Sequence, residues 1–114
     1  MKTSTLRKVN AGLLGYCFLT LGNRCWDGGN CRRASRYFRK ATRIMPSCEV
    51  SSLGLFHTLW EDGQCRQAVR EMLRFTDKHR SAEYDAIFRE ILRLADELKK
   101  PNPTPSRRID FSRN

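Results

Sequence analysis

Trp26-Asp27-Gly28-Gly29-Asn30-Cys31-Arg32-Arg33-Ala34-Ser35-Arg36 is echoed later in the chain by Trp60-Glu61-Asp62-Gly63-Gln64-Cys65-Arg66-Gln67-Ala68-Val69-Arg70. Trp26/Trp60, Gly29/Gly63, Cys31/Cys65, Arg32/Arg66, Ala34/Ala68 and Arg36/Arg70 all lie 34 residues apart, and upstream Leu19/Leu53 and Leu21/Leu55 keep the same offset. Self-similarity at a fixed spacing of this size marks a chain built from repeated supersecondary units. The residues supply the mechanics of a helical hairpin. Small Ala34 and Ala68 let two helices approach, Phe38 and Met72 fill the space one turn on, and Gly29 or Gly63 makes the turn between them.

Phe18-x-x-Leu21-Gly22-x-x-Cys25, followed by Ala34-x-x-x-Phe38, Ala41 and Pro46, resembles the tetratricopeptide helix-turn-helix pattern, with Phe for the usual Trp and Cys for the usual Tyr. The second copy is looser. Ser52-x-x-Leu55-Phe56-x-x-Leu59, Ala68-x-x-x-Met72 and Phe75 keep the frame, but Arg80 stands where a closing Pro would fall. The resemblance implies an all-α fold, a short right-handed stack of antiparallel helix pairs of about two repeats. Repeat one spans about 15–48 and repeat two about 49–82.

Hydrophobic periodicity and cap signals give five helices. The first is expected from Thr3–Thr5 to about Trp26, with Leu6, Val9, Leu13, Leu14, Cys17, Phe18 and Leu21 at helical spacing. Gly28-Gly29 stops it and Asn30 caps the second, Cys31 to about Met45. Pro46 forbids continuation and Ser47 offers a new cap for the third, about Cys48 to Glu61. Gln64 to about Lys78 makes the fourth. Ser81 caps a fifth over about 82–99, where Glu83 and Asp85 open the helix and Lys99 closes it, as the helix dipole prefers. Tyr84, Ile87, Phe88, Ile91, Leu92, Ala95 and Leu98 form one stripe on it, and stacked repeats need a covered end, so it is expected to cap the stack. Residues 1–100 then make one helical domain. Three prolines in Pro101-Asn102-Pro103-Thr104-Pro105 and the basic end make 101–114 an expected disordered tail.

The 114 residues carry 22 Lys and Arg against 12 Asp and Glu, a net charge of +10. That balance speaks to acidic partners (nucleic acid, an anionic membrane face, an acidic protein) and not to the fold. The five cysteines include no C-x-x-C pair. Cys25, Cys31 and Cys65 sit at repeat positions, so they read as small packing residues in a reducing compartment, and with His57 and His79 they have no standard zinc spacing. Lys2 to Lys8 followed by the apolar run 11–22 superficially resembles a secretory signal. The run already belongs to the first repeat, no small-x-small cleavage site follows, and it is too short to span a bilayer, so a cytoplasmic protein is expected. There is no Gly-rich phosphate loop, no Ser/His/Asp set and no paired carboxylates, so neither an enzyme, a cofactor nor a metal is expected.

Two constellations remain. Arg32, Arg36, Arg39 and Arg43 recur three or four apart in the second helix, and Arg66, Arg70 and Arg74 repeat this in the fourth. Such stripes can grip phosphates or an acidic partner, yet no aromatics are interleaved for base stacking and the outer helix of a repeat is normally solvated, so a plain charged face is the favoured reading. The second constellation depends on the family likeness. In tetratricopeptide proteins the first helix of each repeat lines a concave groove, which places Tyr16, Leu19, Asn23, Trp26 and Asp27 there from copy one. Val50, Leu53, His57, Trp60 and Glu61 follow from copy two. Two Trp with Leu and Tyr suit an amphipathic helix or extended peptide of a protein client, although either indole could instead serve as packing.

A closer likeness lies in Gly22-Asn23-Arg24-Cys25-Trp26-Asp27-Gly28-Gly29-Asn30-Cys31, followed after 19 residues by Ser51-Ser52-Leu53. It is similar to a run in the larger subunit of type III secretion needle-subunit chaperones. That likeness implies a chaperone that holds the needle subunit monomeric, with a small helical co-chaperone, by burying the subunit's C-terminal amphipathic helix. Gly54 to Trp60 is longer than the family's segment, the late chain does not match, and the strong basic charge is foreign to it. An open apolar groove also invites homo-oligomers when no client is bound. The alternatives are a basic helical nucleic-acid-binding module, motivated by the charge, or a regulatory adaptor docking through Arg107 to Asn114.

Overall fold

The computed structural model describes the backbone of residues 2–99 and the side chains of residues 12–99. Among the described residues five α-helices follow one another: α1 Lys2–Asp27, α2 Cys31–Ile44, α3 Glu49–Glu61, α4 Cys65–Thr76 and α5 Ala82–Lys99. Among the described residues there is no strand. α1 packs on α2, α2 on α3 and α3 on α4, while α1 also touches α3. The chain divides into two units, one holding α1–α4 and the other beginning at Ala82 with α5. The tail assigned to 101–114 lies outside the described residues, as do the side chains of Leu6 and Val9.

The duplicated stretch folds into the same turn twice, bond for bond. Asn30 N–H donates to the Cys25 carbonyl at 2.9 Å and Gly29 N–H to that of Trp26 at 2.9 Å. Gln64 N–H donates to Leu59 at 2.8 Å and Gly63 N–H to Trp60 at 3.1 Å, so donors and acceptors both keep the 34-residue offset. This six-to-one plus five-to-two pattern closes a helix by feeding its orphan carbonyls, and it needs a left-handed residue at the position past the cap. Gly29 at φ 82° and Gly63 at φ 81° supply it.

Cap chemistry separates the two copies. Asn30 accepts from Arg33 N–H through Oδ1 at 3.0 Å, as its residue type predicts, whereas Gln64 caps α4 without a side-chain bond. The expected cap at Ser47 is corrected by one residue. Cys48 occupies the position and makes no side-chain cap bond, because the bends at 46 and 47 are needed to leave α2. α4 likewise ends at Thr76, two residues before Lys78.

Phe38 is the centre of the first unit. It is fully buried, and β-carbons added at Gly22 of α1 and Gly54 of α3 would lie 3.0 and 2.6 Å from its ring. Two glycines on flanking helices therefore make the slot that one aromatic ring fills, which brings α1 and α3 close on either side of α2. Ala34, Ala41, Leu55, Phe56, Leu59, Ala68, Met72 and Phe75 complete this core at 0–2% exposure. At roughly 1.5–3 kcal/mol for each large side chain, their burial is the main force holding the helices together.

A polar knot locks α3 to α4. Glu71 is 8% exposed and accepts from Ser52 Oγ at 2.6 Å and from Arg74 Nε and Nη2 at 2.8 and 2.6 Å. Arg74 Nη1 also donates to the Pro46 carbonyl at 3.1 Å. A buried carboxylate is tolerable only when its lone pairs are met in this way. α5, taken by itself, has Phe88, Leu92 and Leu98 exposed, with Arg93 bridging Glu90 and Glu97 along its charged side. The Arg93 guanidinium holds the Glu90 carboxyl below its usual range.

Candidate partner-binding surface

Trp26 stands in the last turn of α1 and is half-buried. Its ring stacks on His57 of α3 at a centroid distance of 6.0 Å, and it meets the edge of Phe38 at 6.1 Å. The indole N–H donates to Glu61 Oε2 at 3.0 Å, so the half-buried ring has its polar atom satisfied and its orientation fixed. The aromatic run continues along α3. His57 meets the edge of Phe56 at 5.4 Å, and Phe56 stacks on Trp60 at 5.7 Å. Trp60, like Trp26, is half-buried.

Helical phase explains the α3 side. His57 and Glu61 are four residues apart and lie on one face, which meets α1, while Phe56 turns inward and Trp60 follows it one turn on. The structure thus brings Trp26, His57 and Glu61 into direct contact and links Trp60 to them through Phe56. Of the other expected groove residues, Tyr16 and Val50 are 67% and 58% exposed, Leu19 and Leu53 are half-buried, and Asn23 and Asp27 are exposed. Leu13 and Leu14, one turn before Tyr16 and Phe18, are exposed as well.

Glu61 has a second donor. The Cys31 thiol at the start of α2 donates to the same Oε2 at 3.0 Å. That hydrogen bond first, then burial, then the negative charges of Glu61 and Asp62, push the Cys31 thiol up from 9.0 to about 11. Cys31 is therefore a poor nucleophile. Its repeat partner Cys65 is exposed and so is not the packing residue its position predicts.

The arginine rows are divided by their partners. Arg32, Arg36, Arg43, Arg66 and Arg70 are exposed, with Arg32 4.0 Å from Asp62. Arg39 Nη2 donates to Gln67 Oε1 at 2.9 Å, and Arg74 is committed to Glu71 and Pro46. Among the described residues no group of three or more His, Cys, Asp or Glu could hold a metal ion, and no helix is long and apolar enough to cross a membrane.

Comparison of the chain with protein-family models, curated proteins and solved structures gives no match. Function must be argued from the site alone.

Sequence reasoning placed Phe56 in the repeat frame and Cys31 as a packing residue without their contacts to Trp60 and Glu61, and it missed Glu71. Phe56 had a signal. It stands 34 residues after Gly22, so a ring replaces the glycine of the repeat frame, and a large residue at a small-residue position announces that the two copies pack differently. Glu71 had one as well, since it is the single acid of α4 and stands three residues after Ala68 and four before Phe75, on the apolar stripe.

Proposed function

We propose that the chain is a protein-binding module that captures an amphipathic helix or extended peptide of a client against α1 and α3. Its client, on the likeness of the 22–31 run and Ser51-Ser52-Leu53, is a type III secretion needle subunit. A small helical co-chaperone completes the complex, and the work is done in the cytoplasm. The reading extends the tetratricopeptide likeness, in which α1/α2 and α3/α4 are successive repeats.

One observation carries the proposal. Both tryptophans are half-buried in a connected aromatic run, held from beneath by Phe38 and Phe56 and, for Trp26, oriented by Glu61. Rings fixed in place with open apolar area are the kind of anchor that dominates protein interfaces, because little side-chain entropy is lost on binding. Tyr16, Leu19, Val50 and Leu53 extend the same pair of helices with further accessible apolar surface. A subunit that polymerises through an apolar helix face is kept monomeric by covering that face, which lowers the free concentration able to assemble.

The test uses Trp26→Ala with Trp60→Ala in the full chain. The double variant should keep its helical circular dichroism and lose capture of a co-expressed needle subunit. A folded double variant that captures the subunit as well as the parent does removes the groove reading. Loss of capture of that subunit by both proteins, with binding of other amphipathic peptides retained by the parent, removes only the named client.

A further inference from the structure

α2 and α4 together contain nine Lys and Arg, and their single carboxylate, Glu71, is buried in the fork of Arg74. No exposed acid therefore lies on either helix to neutralise the others. The Arg39–Gln67 hydrogen bond joins the two helices at one point, Arg39 standing between Arg36 and Arg43 in its row and Gln67 between Arg66 and Arg70 in the other. These four side chains are exposed. Off the two helices, Asp62 accepts from Gln64 at 2.6 Å and stands 4.0 Å from Arg32, too weak a contact to quench the face.

We propose that this α2–α4 face is a second binding surface, separate from the tryptophan site on α1 and α3, and that it takes the phosphate backbone of duplex DNA without reading sequence. Three features choose the ligand. The charges are almost all arginine, whose planar fork matches phosphate oxygens in a bidentate way that a point-charge lysine does not. They fall in two rows, one on each helix, linked through Arg39 and Gln67, suited to phosphates on both strands of a duplex. Phe18 and Tyr37 stack on each other and lie beneath the Lys40 ammonium at 5.4 and 5.9 Å, so they offer no open platform for unpaired bases. Contacts confined to phosphates position a protein on DNA and carry no sequence information.

The experiment is fluorescence anisotropy with a short random-sequence duplex DNA and the full chain across a salt series. Four phosphate contacts give a log–log slope of about −3.6, so raising salt from about 50 to 200 mM should weaken binding about 100-fold. Arg36→Ala, Arg43→Ala, Arg66→Ala and Arg70→Ala together should bring the slope near zero. If that variant does not fold, Arg36→Gln with Arg70→Gln should halve the slope. Arg107→Ala, Arg108→Ala and Arg113→Ala, which removes nearly the same charge elsewhere, should leave most of the binding in place, as should Trp26→Ala with Trp60→Ala. An equal loss from the three substitutions after residue 100, equal or tighter binding of single-stranded DNA, equal competition by polyglutamate, or no binding at low salt would each overturn the proposal. None of those outcomes touches client capture, whose own test is independent.

Discussion

Glu61 serves two donors from one oxygen, the Trp26 indole and the Cys31 thiol, so its charge governs both. The thiol keeps its proton in the folded chain up to about pH 11, whereas unfolded it ionises near 9. The stabilisation from this bond is therefore complete below pH 9 and fades as pH climbs toward 11. Alkylation followed peptide by peptide at pH 8.5 should find Cys31 slower than exposed Cys65. Glu61→Gln should speed Cys31 several-fold with Cys65 unchanged, and equal rates in the parent would refute the bond. Arg74 gives a second residue-scale prediction. Arg74→Met leaves Glu71 buried with only Ser52 to meet it and should cost roughly 2 kcal/mol in urea unfolding, reduced from a fully buried pair because Arg74 is partly exposed. Arg70→Met, one turn earlier and exposed, should change stability by less than about 0.5 kcal/mol.

Among elements, the helix ends and the helix faces make different demands on glycine. Gly63→Ala meets open space but keeps a φ of 81°, so its cost is conformational and should be about 1 kcal/mol. Gly54→Ala has ordinary helical geometry but collides with the Phe38 ring. Overpacking of about 1–3 kcal/mol should exceed the helix-propensity gain of about 1. Phe38→Leu in the same chain should recover part of that loss, a coupling that a purely local effect at Gly54 could not produce. α2 also contains a site for improvement. The Thr42 hydroxyl is buried without a hydrogen-bond partner, and Thr42→Val replaces it by a methyl of like shape. Thermal unfolding should shift upward by an amount worth about 1 kcal/mol.

At the scale of the whole molecule, the charge is distributed unevenly. α2 and α4 hold eight of the sixteen arginines, while α1 and α3 present the accessible Trp, Leu, Tyr and Val side chains. Much of this was legible in advance. Periodicity and cap signals gave the helix count, and the 34-residue echo the two glycine turns and the core alanines, since each depends on local chemistry: a left-handed turn, a cap, a period of 3.6. The tryptophans were legible as a pair, but their settings were not. Trp26 looks across to His57 and Glu61 of another helix, whereas Trp60 rests on Phe56 of its own.

The sequence by itself determined where the chain turns and which side of α2 and of α4 is buried, because residue-by-residue propensity and periodicity act over a few positions. Only the tertiary structure decided which arginine is consumed by a buried carboxylate, which cysteine is silenced, and which rings stay half-open. Those outcomes depend on groups 19 to 35 residues apart meeting within hydrogen-bond or stacking distance. A single sequence carries no measure of that distance until Phe38 and its two glycines have fixed how closely the helices lie.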